Sequence, residues 1–331
     1  MTKPFVSQPA DDTQYPWSAW QLLSGKWVPT PAVLAESLDG GQAFRWYRDE
    51  LDIWTGAWSG SIAQLRLTDG QLEWRAPESI QSQVAKSLPH YLGLDMDWTA
   101  HISSLPWRSD PHLARCIAAF PDLRLLRQPF GETLLCFLCS ATKQIVQIKQ
   151  MVGLLAERHG AEIGWNAASG RVSSASGTPR STLTPSRDNP APPPIHRLPT
   201  WPELATIPEE NLRACLLGFR ARYIHKTAQF LAKRPGWLEE TERLPYAAAK
   251  ARLIELPGVG EKVADCVLLF GAGKLEAFPV DTWILKALAR RYQLDEWKPA
   301  QVAQFGRAHF GPLAGYAQQF LFSWERKHGS E

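Results

Sequence analysis

No apolar run in this chain approaches eighteen residues, so no helical membrane span is expected. The opening MTKPFVSQPADDTQYPW is polar and lacks the charged-then-apolar order of a secretory signal, which makes the cytosol, or the nucleus in a eukaryote, the expected compartment. Cysteine is scarce: Cys116, Cys136, Cys139, Cys215 and Cys266 make an odd, scattered set, which argues for reduced thiols rather than a disulfide framework. Cys136 and Cys139 form a CxxC inside the apolar run LLCFLC, where two core residues are expected rather than a metal or redox pair. Charge of either sign is not in excess. The net value is +3, all of it carried by Trp201 to Glu331, with 18 Lys/Arg against 15 Asp/Glu. That permits a local basic groove and excludes a polycationic coat. There is no internal repeat.

What is present suits two or three packed domains, at 331 residues and 44% hydrophobic content. Residues 1–30 show turn formers and tryptophans without period, an irregular arm or edge strand. From Gln42 the pattern shortens to QAFRWYRD, DIWTGAW, IAQLRLTDG and QLEWRAP, aromatic and β-branched pieces that predict a small antiparallel sheet with a hairpin at Asp69-Gly70. Gln81 to Leu92 reads as a helix laid on it, so residues 1–105 form an expected α+β domain. Residues 106–331 read as a helical domain. Helices are expected over Pro111 to Phe120, Gly131 to His159, Glu209 to Lys233, Tyr246 to Phe270, Thr282 to Tyr292, Lys298 to Phe310 and Ala314 to Arg326. Trp165 to Leu198 is dominated by Ser, Thr, Pro and Gly, has no aromatic after Trp165, and predicts a flexible insertion.

The most informative stretch is YAAAKARLIELPGVGEKVADCVLLFGAGKLEAFPVDTWILKALARRY, Tyr246 to Tyr292. Pro245 can open a helix, and Ala247 to Glu255 continue it. Pro257 to Gly260 then break it, the glycines permitting φ > 0. A second helix starts at once, with Val263, Ala264, Val267 and Leu268 on its inner face. Its free N–H groups and dipole make a phosphate site that needs no base contact. Lys262 sits in its first turn, and Asp281 stands where it can N-cap the next helix and still turn an oxygen to a cleft. An ordinary lysine is protonated at pH 7. A cleft and the positive end of a helix favour the neutral amine, which can form a Schiff base with an electrophilic carbon. A carboxylate nearby stabilises an oxocarbenium-like sugar. Singly, Lys262 reads as a surface charge and Asp281 as an N-cap. Together, behind LPGVG and ahead of PVD, they suit cleavage of an N-glycosidic bond in DNA with imine formation at C1′.

LPGVGEKVADC…FPVD resembles the helix-hairpin-helix, Gly/Pro-Asp signature of DNA glycosylases, and most of all the 8-oxoguanine DNA glycosylase/AP lyase family. The likeness extends to GGQAFRW at Gly40 to Trp46, WTGAW, ETLLCFLCSATKQI at Glu132 to Ile145, LGFRARYI at Leu217 to Ile224 and GPLAGYAQQFLFS at Gly311 to Ser323. It implies a mainly α fold with an N-terminal α+β domain, the small antiparallel sheet packed on a helical helix-hairpin-helix core. It further implies a bifunctional glycosylase/AP lyase that removes oxidised purine from duplex DNA. In that family's pattern Lys262 is the Schiff-base nucleophile and Asp281 its electrostatic and acid/base partner. Cys266 and Phe322 hold the extruded base, Gln318 reads its Watson–Crick edge, and the Gly41 carbonyl accepts the N7–H that distinguishes 8-oxoguanine from guanine. That last readout is physically sound, because guanine N7 is an acceptor. Phe219, in place of a tyrosine, fills the stack, while Gly258 and Gly260 meet backbone.

The resemblance also implies a cation on the carbonyls of Ile254, Leu256 and Val259, and a monomer acting on duplex DNA with no other cofactor. No cysteine follows Cys266, so the four-Cys iron–sulfur loop of some glycosylases is not expected. Thr142, Lys143 and Gln144 replace an asparagine run that contacts the orphaned cytosine, Gln147 replaces an arginine that reads it, and Trp283 replaces a histidine after Asp281. Gln offers fewer fixed donors than Arg, so the opposite-base rule is open. Two other readings share the scaffold: a monofunctional alkylbase glycosylase, against which Lys262 speaks, and a non-catalytic DNA-binding hairpin module.

Overall fold

The structure, a computed structural model, describes residues 16–23, 25, 27–163 and 196–329. Five strands, β1 (Gln21–Leu22), β2 (Trp46–Arg48), β3 (Trp54–Trp58), β4 (Ser61–Thr68) and β5 (Gln71–Arg75), pair antiparallel in the order β1-β5-β4-β3-β2. Asp69 and Gly70 take φ of 49° and 75°, the doubly positive turn whose twist matches a hairpin, and set Thr68 opposite Gln71. One face of this sheet is tryptophan-rich. Trp46, Trp54, Trp58 and Trp74 are buried there against Leu34 and Leu38 of α1 (Pro31–Asp39) and Val84 and Leu88 of α2 (Gln81–Tyr91). Gly56 permits this packing: a Cβ there would lie 2.2 Å from the Trp46 ring.

The rest is helical: α3 (Trp98–Ser104), α4 (Pro111–Ala119), α5 (Phe130–Leu138), α6 (Ile145–His159), α7 (Trp201–Thr206), α8 (Glu209–Leu212), α9 (Arg220–Ala232), α10 (Trp237–Arg243), α11 (Tyr246–Ile254), α12 (Glu261–Phe270), α13 (Thr282–Tyr292), α14 (Pro299–Phe310) and α15 (Ala314–His328). The most apolar of them, α5 and α12, cross at the centre, where Phe137 and Phe270 stack at 5.7 Å. Polar residues start the outer helices. Thr30, Asp110, Thr200 and Asp281 each accept a main-chain N–H of the turn they open, which satisfies donors a helix leaves free. The sheet and the helices share material. Phe44 belongs to the helical core and Leu126 to the sheet core, and the 121–128 segment bonds to both, through Arg127 N–H to Tyr91 O and Gln128 N–H to Phe270 O.

Three expected features differ. The single helix over Gly131 to His159 is two, because the chain turns between Cys139 and Ile145, with Thr142 at φ 54° and Gln144 extended. The helix over Glu209 to Lys233 breaks at Arg213–Leu217, a wide turn in which Leu216 takes φ 62° and Gly218 follows at φ 56°. The expected insertion over Trp165 to Leu198 lies mostly outside the described residues, but His196 to Leu198 belong to the folded body. Leu198 is buried, and Arg197 grips Glu203 through two hydrogen bonds of 2.7 and 2.6 Å. All five cysteines are free and buried.

Candidate active site

The two interruptions border the hairpin. Leu256 N–H closes on Leu253 O at 3.0 Å and Val259 N–H on Leu256 O at 3.1 Å, while Gly258 sits at φ 83°. A Cβ on Gly258 would meet Tyr223 of α9 at 2.8 Å, so both conformation and contact demand glycine. Gly260 starts α12 and differs: a Cβ there meets nothing within 4 Å. The surface in front of the α12 amides is therefore open, as a site for a phosphate must be. Behind the hairpin, buried Asp265 accepts from Tyr246 OH at 2.7 Å and Lys250 Nζ at 3.0 Å, tying α11 to α12.

Lys262 is half-buried in the first turn of α12. Its Nζ donates to Ser140 Oγ at 3.3 Å and stands 5.2 Å from the Phe137 ring centroid. Ser140 is held in turn by donating to Phe137 O at 2.7 Å. Asp281 caps α13, accepting from Ile284 N–H at 2.9 Å through one oxygen. Burial pushes its carboxyl above the ordinary value, against the Ile284 N–H and the Lys262 ammonium, which both pull down. Cys266 lies one turn along α12 and feels both groups. Burial raises its thiol to about 11, Lys262 pulling down and Asp281 pushing up. It stays a neutral, polarisable surface at pH 7. The amine, the carboxylate and the thiol thus share one electrostatic neighbourhood at the leading end of α12.

The residues expected to contact a base come from distant parts of the chain. Gly41, at φ 101°, faces α15 so closely that a Cβ would lie 3.6 Å from the Phe322 ring and 3.2 Å from Ile145. Gln42 fixes it with three bonds: its Nε2 donates to Arg124 O at 2.9 Å, its Oε1 accepts from Leu126 N–H at 2.9 Å, both buried, and its carbonyl accepts from Gln128 at 2.7 Å. Gln318 is buried. Its Nε2 donates to Pro279 O at 3.1 Å, and its Oε1 has no partner. Pro279 is two residues before Asp281, so the amide is anchored beside that segment with its oxygen left free to accept. Two cavities, of about 240 and 680 Å³, lie elsewhere, and neither is lined by Lys262, Cys266, Asp281 or Phe322. The space between Gly41 and Phe322 is closed in the free chain.

Phe219 is 53% exposed at the end of the broken turn, its ring 6.0 Å from that of Tyr223. Thr142, Lys143 and Gln144 on the loop before α6 and Gln147 in its first turn are all exposed. Gln147 is not free to read a base with its oxygen, which accepts Gln144 N–H at 3.2 Å in a capping box. Sequence reasoning passed over Arg220. It is buried, donates to Ala141 O and to Thr142 Oγ1 at 3.2 Å, and so fastens the Thr142 loop to the Phe219 turn. Nothing local in the sequence marks Ser140 as the lysine's partner. Ile254 closes α11 after the carbonyls of Arg252 and Leu253 have been used by Glu255 and Leu256 N–H. Its carbonyl is therefore one that the end of α11 leaves without an intrahelical partner, whereas the Leu256 carbonyl already accepts Val259 N–H at 3.1 Å. No group of three His, Cys, Asp or Glu able to hold a metal occurs among the described residues.

Comparison with known proteins agrees with this geometry. A family model of the 8-oxoguanine DNA glycosylase N-terminal domain matches residues 29–134, and one of the HhH-GPD superfamily base excision DNA repair proteins matches 170–309. The chain belongs to the 8-oxoguanine DNA glycosylase family. Within that family, the Arabidopsis thaliana N-glycosylase/DNA lyase OGG1 is 27% identical over 321 residues, 90% of this chain and 80% of the relative. A Methanothermobacter thermautotrophicus protein named "Probable N-glycosylase/DNA lyase" is 39% identical over 119 residues, 36% of this chain and only 38% of that relative. Among solved structures, the Clostridium acetobutylicum 8-oxoguanine glycosylase/lyase in complex with dsDNA containing cytosine opposite to 8-oxoG superposes with a TM-score of 0.74. It is 27% identical, with 89% of this chain and 92% of that chain covered. The family's hairpin and its N-terminal sheet are the two parts matched here.

Replacing Gly41 with alanine tests the base slot alone. The methyl would stand against Phe322 at a φ that L side chains rarely adopt. Excision of 8-oxoguanine is expected to fall by about tenfold or more, a loss equivalent to ~1.4 kcal/mol, while cleavage at a preformed abasic site stays near the parent rate. Gel assays on the two duplexes read this directly.

Proposed function

We propose that this protein is a bifunctional DNA glycosylase/AP lyase that removes 8-oxoguanine from duplex DNA as a monomer, in the nucleoid of a bacterium or the nucleus of a eukaryote. The observation that carries the reading is that Lys262 and Cys266, in the first two turns of α12, and Asp281, the cap of α13, act electrostatically on one another beside an open set of α12 amides. The hairpin at Gly258 and Gly260 binds a backbone phosphate. The carbonyls of Ile254, Leu256 and Val259 would hold a cation whose charge neutralises that phosphate. Phe219 enters the stack and offsets part of the few kcal/mol, roughly, that extruding a nucleotide costs. The base lies between Cys266 and Phe322, its N7–H donating to the Gly41 carbonyl and its Watson–Crick N–H groups to Gln318 Oε1.

Lys262, once deprotonated, attacks C1′ as the bond from C1′ to the base nitrogen breaks and the base leaves with the electron pair. The Asp281 carboxylate opposes the positive charge that builds on the sugar. Loss of the ring oxygen's bond to C1′ gives the imine, and removal of a C2′ proton expels the 3′ phosphate. The protein–sugar bond is then hydrolysed, restoring the amine.

A cleavage panel tests this reading: duplexes carrying 8-oxoguanine opposite each of the four bases, with an alkylated purine as control. Strand cleavage at 8-oxoguanine is expected, with cutting opposite cytosine and adenine within about threefold, ~0.7 kcal/mol or less. The reason is that Gln147 spends its oxygen on Gln144 and cannot supply an arginine's paired donors. Release of the alkylated purine without strand cleavage would favour a monofunctional alkylbase glycosylase instead.

A further inference from the structure

Glu36 stands in the last turn of α1, four residues before the Gly40-Gly41 turn, and is 1% exposed. A carboxylate rarely tolerates such burial unless it is paired. Its Oε2 accepts from Arg326 Nη2 at 2.6 Å, with Lys327 Nζ at 3.9 Å, and its Oε1 has no partner. Arg326 lies one turn beyond Phe322 on α15, and its guanidinium stands over the Phe322 ring at 5.9 Å from the centroid. The same pair therefore reaches both walls of the base slot: through the α1 C-terminus to Gly41, and through the guanidinium to Phe322. Gly40 is shaped to it, since a Cβ there would strike Glu36 O at 2.1 Å and Glu36 Oε1 at 2.6 Å. On the other side of the turn, Asp39 is held by Lys149 of α6 at 2.9 Å.

We infer that Glu36 and Arg326 are positioning residues for lesion recognition, a clamp that holds the Phe322 ring and the Gly41 turn in register so that the two walls re-form around an oxidised purine when it enters. The inference rests on the functional reading above. Neither residue touches the reacting atoms; Arg326 acts through Phe322 and Glu36 through Arg326. A plain stabilising ion pair would support every activity of the enzyme equally. A clamp acts only when a base is in the slot, so it should separate two reactions that share Lys262. Release of 8-oxoguanine needs the slot, whereas β-elimination at a preformed abasic site does not.

The test uses the full-length double variant Glu36→Gln/Arg326→Met, which removes the pair without leaving a lone buried charge. Single-turnover rates are measured on 8-oxoguanine and abasic duplexes well below the melting temperature found by circular dichroism. The expected result is a loss of tenfold or more for 8-oxoguanine, carried by the rate at saturating enzyme, with abasic cleavage within twofold of the parent. Arg326→Lys keeps a cation on Glu36 but removes the flat guanidinium over the ring. It gives the same split and replaces the double variant should that not fold. Equal loss in both reactions, loss at abasic sites alone, or no loss overturns the clamp. Failure of the parent protein to release 8-oxoguanine overturns the functional reading instead.

Discussion

Lys262→Gln is expected to lower 8-oxoguanine release and abasic-site cleavage together by at least about a thousandfold, the scale of losing a group that acts in the transition state. It should also abolish the covalent protein–DNA adduct that borohydride traps from an imine. The fold tolerates the change, because Lys262 is half-buried and glutamine can still donate to Ser140 Oγ. Binding to an abasic analogue should fall by only a few-fold, since the phosphate is held by main-chain amides and by the rest of the surface. A trapped adduct in the variant would put the nucleophile elsewhere and sink the assignment. Unchanged cleavage would take Lys262 out of the chemistry, and a parent that cuts neither duplex would return the chain to the class of hairpins that only hold DNA.

Asp281→Asn separates chemistry from stability, with opposite signs. Burial raises the Asp281 carboxyl above its ordinary value of 3.8, despite the pull of Ile284 N–H and Lys262. The folded state thus binds this proton more tightly than the unfolded chain does. The group's contribution to stability is fully present below the unfolded value and is lost as pH rises through the raised, folded one. At pH 7 the buried carboxylate is therefore a cost. Asparagine removes the charge and keeps an oxygen for Ile284 N–H. The variant should melt roughly 1–3 °C higher than the parent at pH 7, an advantage that disappears toward pH 4. Excision should fall about a hundredfold to a thousandfold, the cost of removing one group that opposes transition-state charge. The parent's activity should also drop on the acid side at a higher pH than an ordinary aspartate would give. A variant that melts lower at pH 7 but higher at pH 4 would reverse the sign and refute the burial account.

The hairpin, the strands and the pair Lys262/Asp281 were legible in the sequence because each is marked locally. Gly258 at positive φ, Asp69-Gly70 between alternating runs, and Asp281 ahead of an apolar helix all signal within a few residues. The breaks at Thr142 and Leu216 were not, because these two residues enter left-handed geometry without being glycine, asparagine or aspartate. Thr142 is held there in part by Arg220, a residue far along the chain whose burial no local pattern announces. The Gln318 orphan oxygen is invisible for a similar reason. One polar residue in an apolar helix reads as a core exception until Pro279 O fixes which end of its amide is free.

Gly41 and Phe322 stand on opposite sides of one slot yet are encoded near residue 40 and near residue 320. During synthesis the hairpin, Lys262 and Asp281 all leave the ribosome before the final helix does. On the proposed reading, the slot that would tell damaged guanine from intact guanine is complete only when α15 docks, although Lys262 and Asp281 are made earlier. The same helix buries Tyr316, Phe320 and Leu321 in the helical core, so completing the slot and completing the fold are one event.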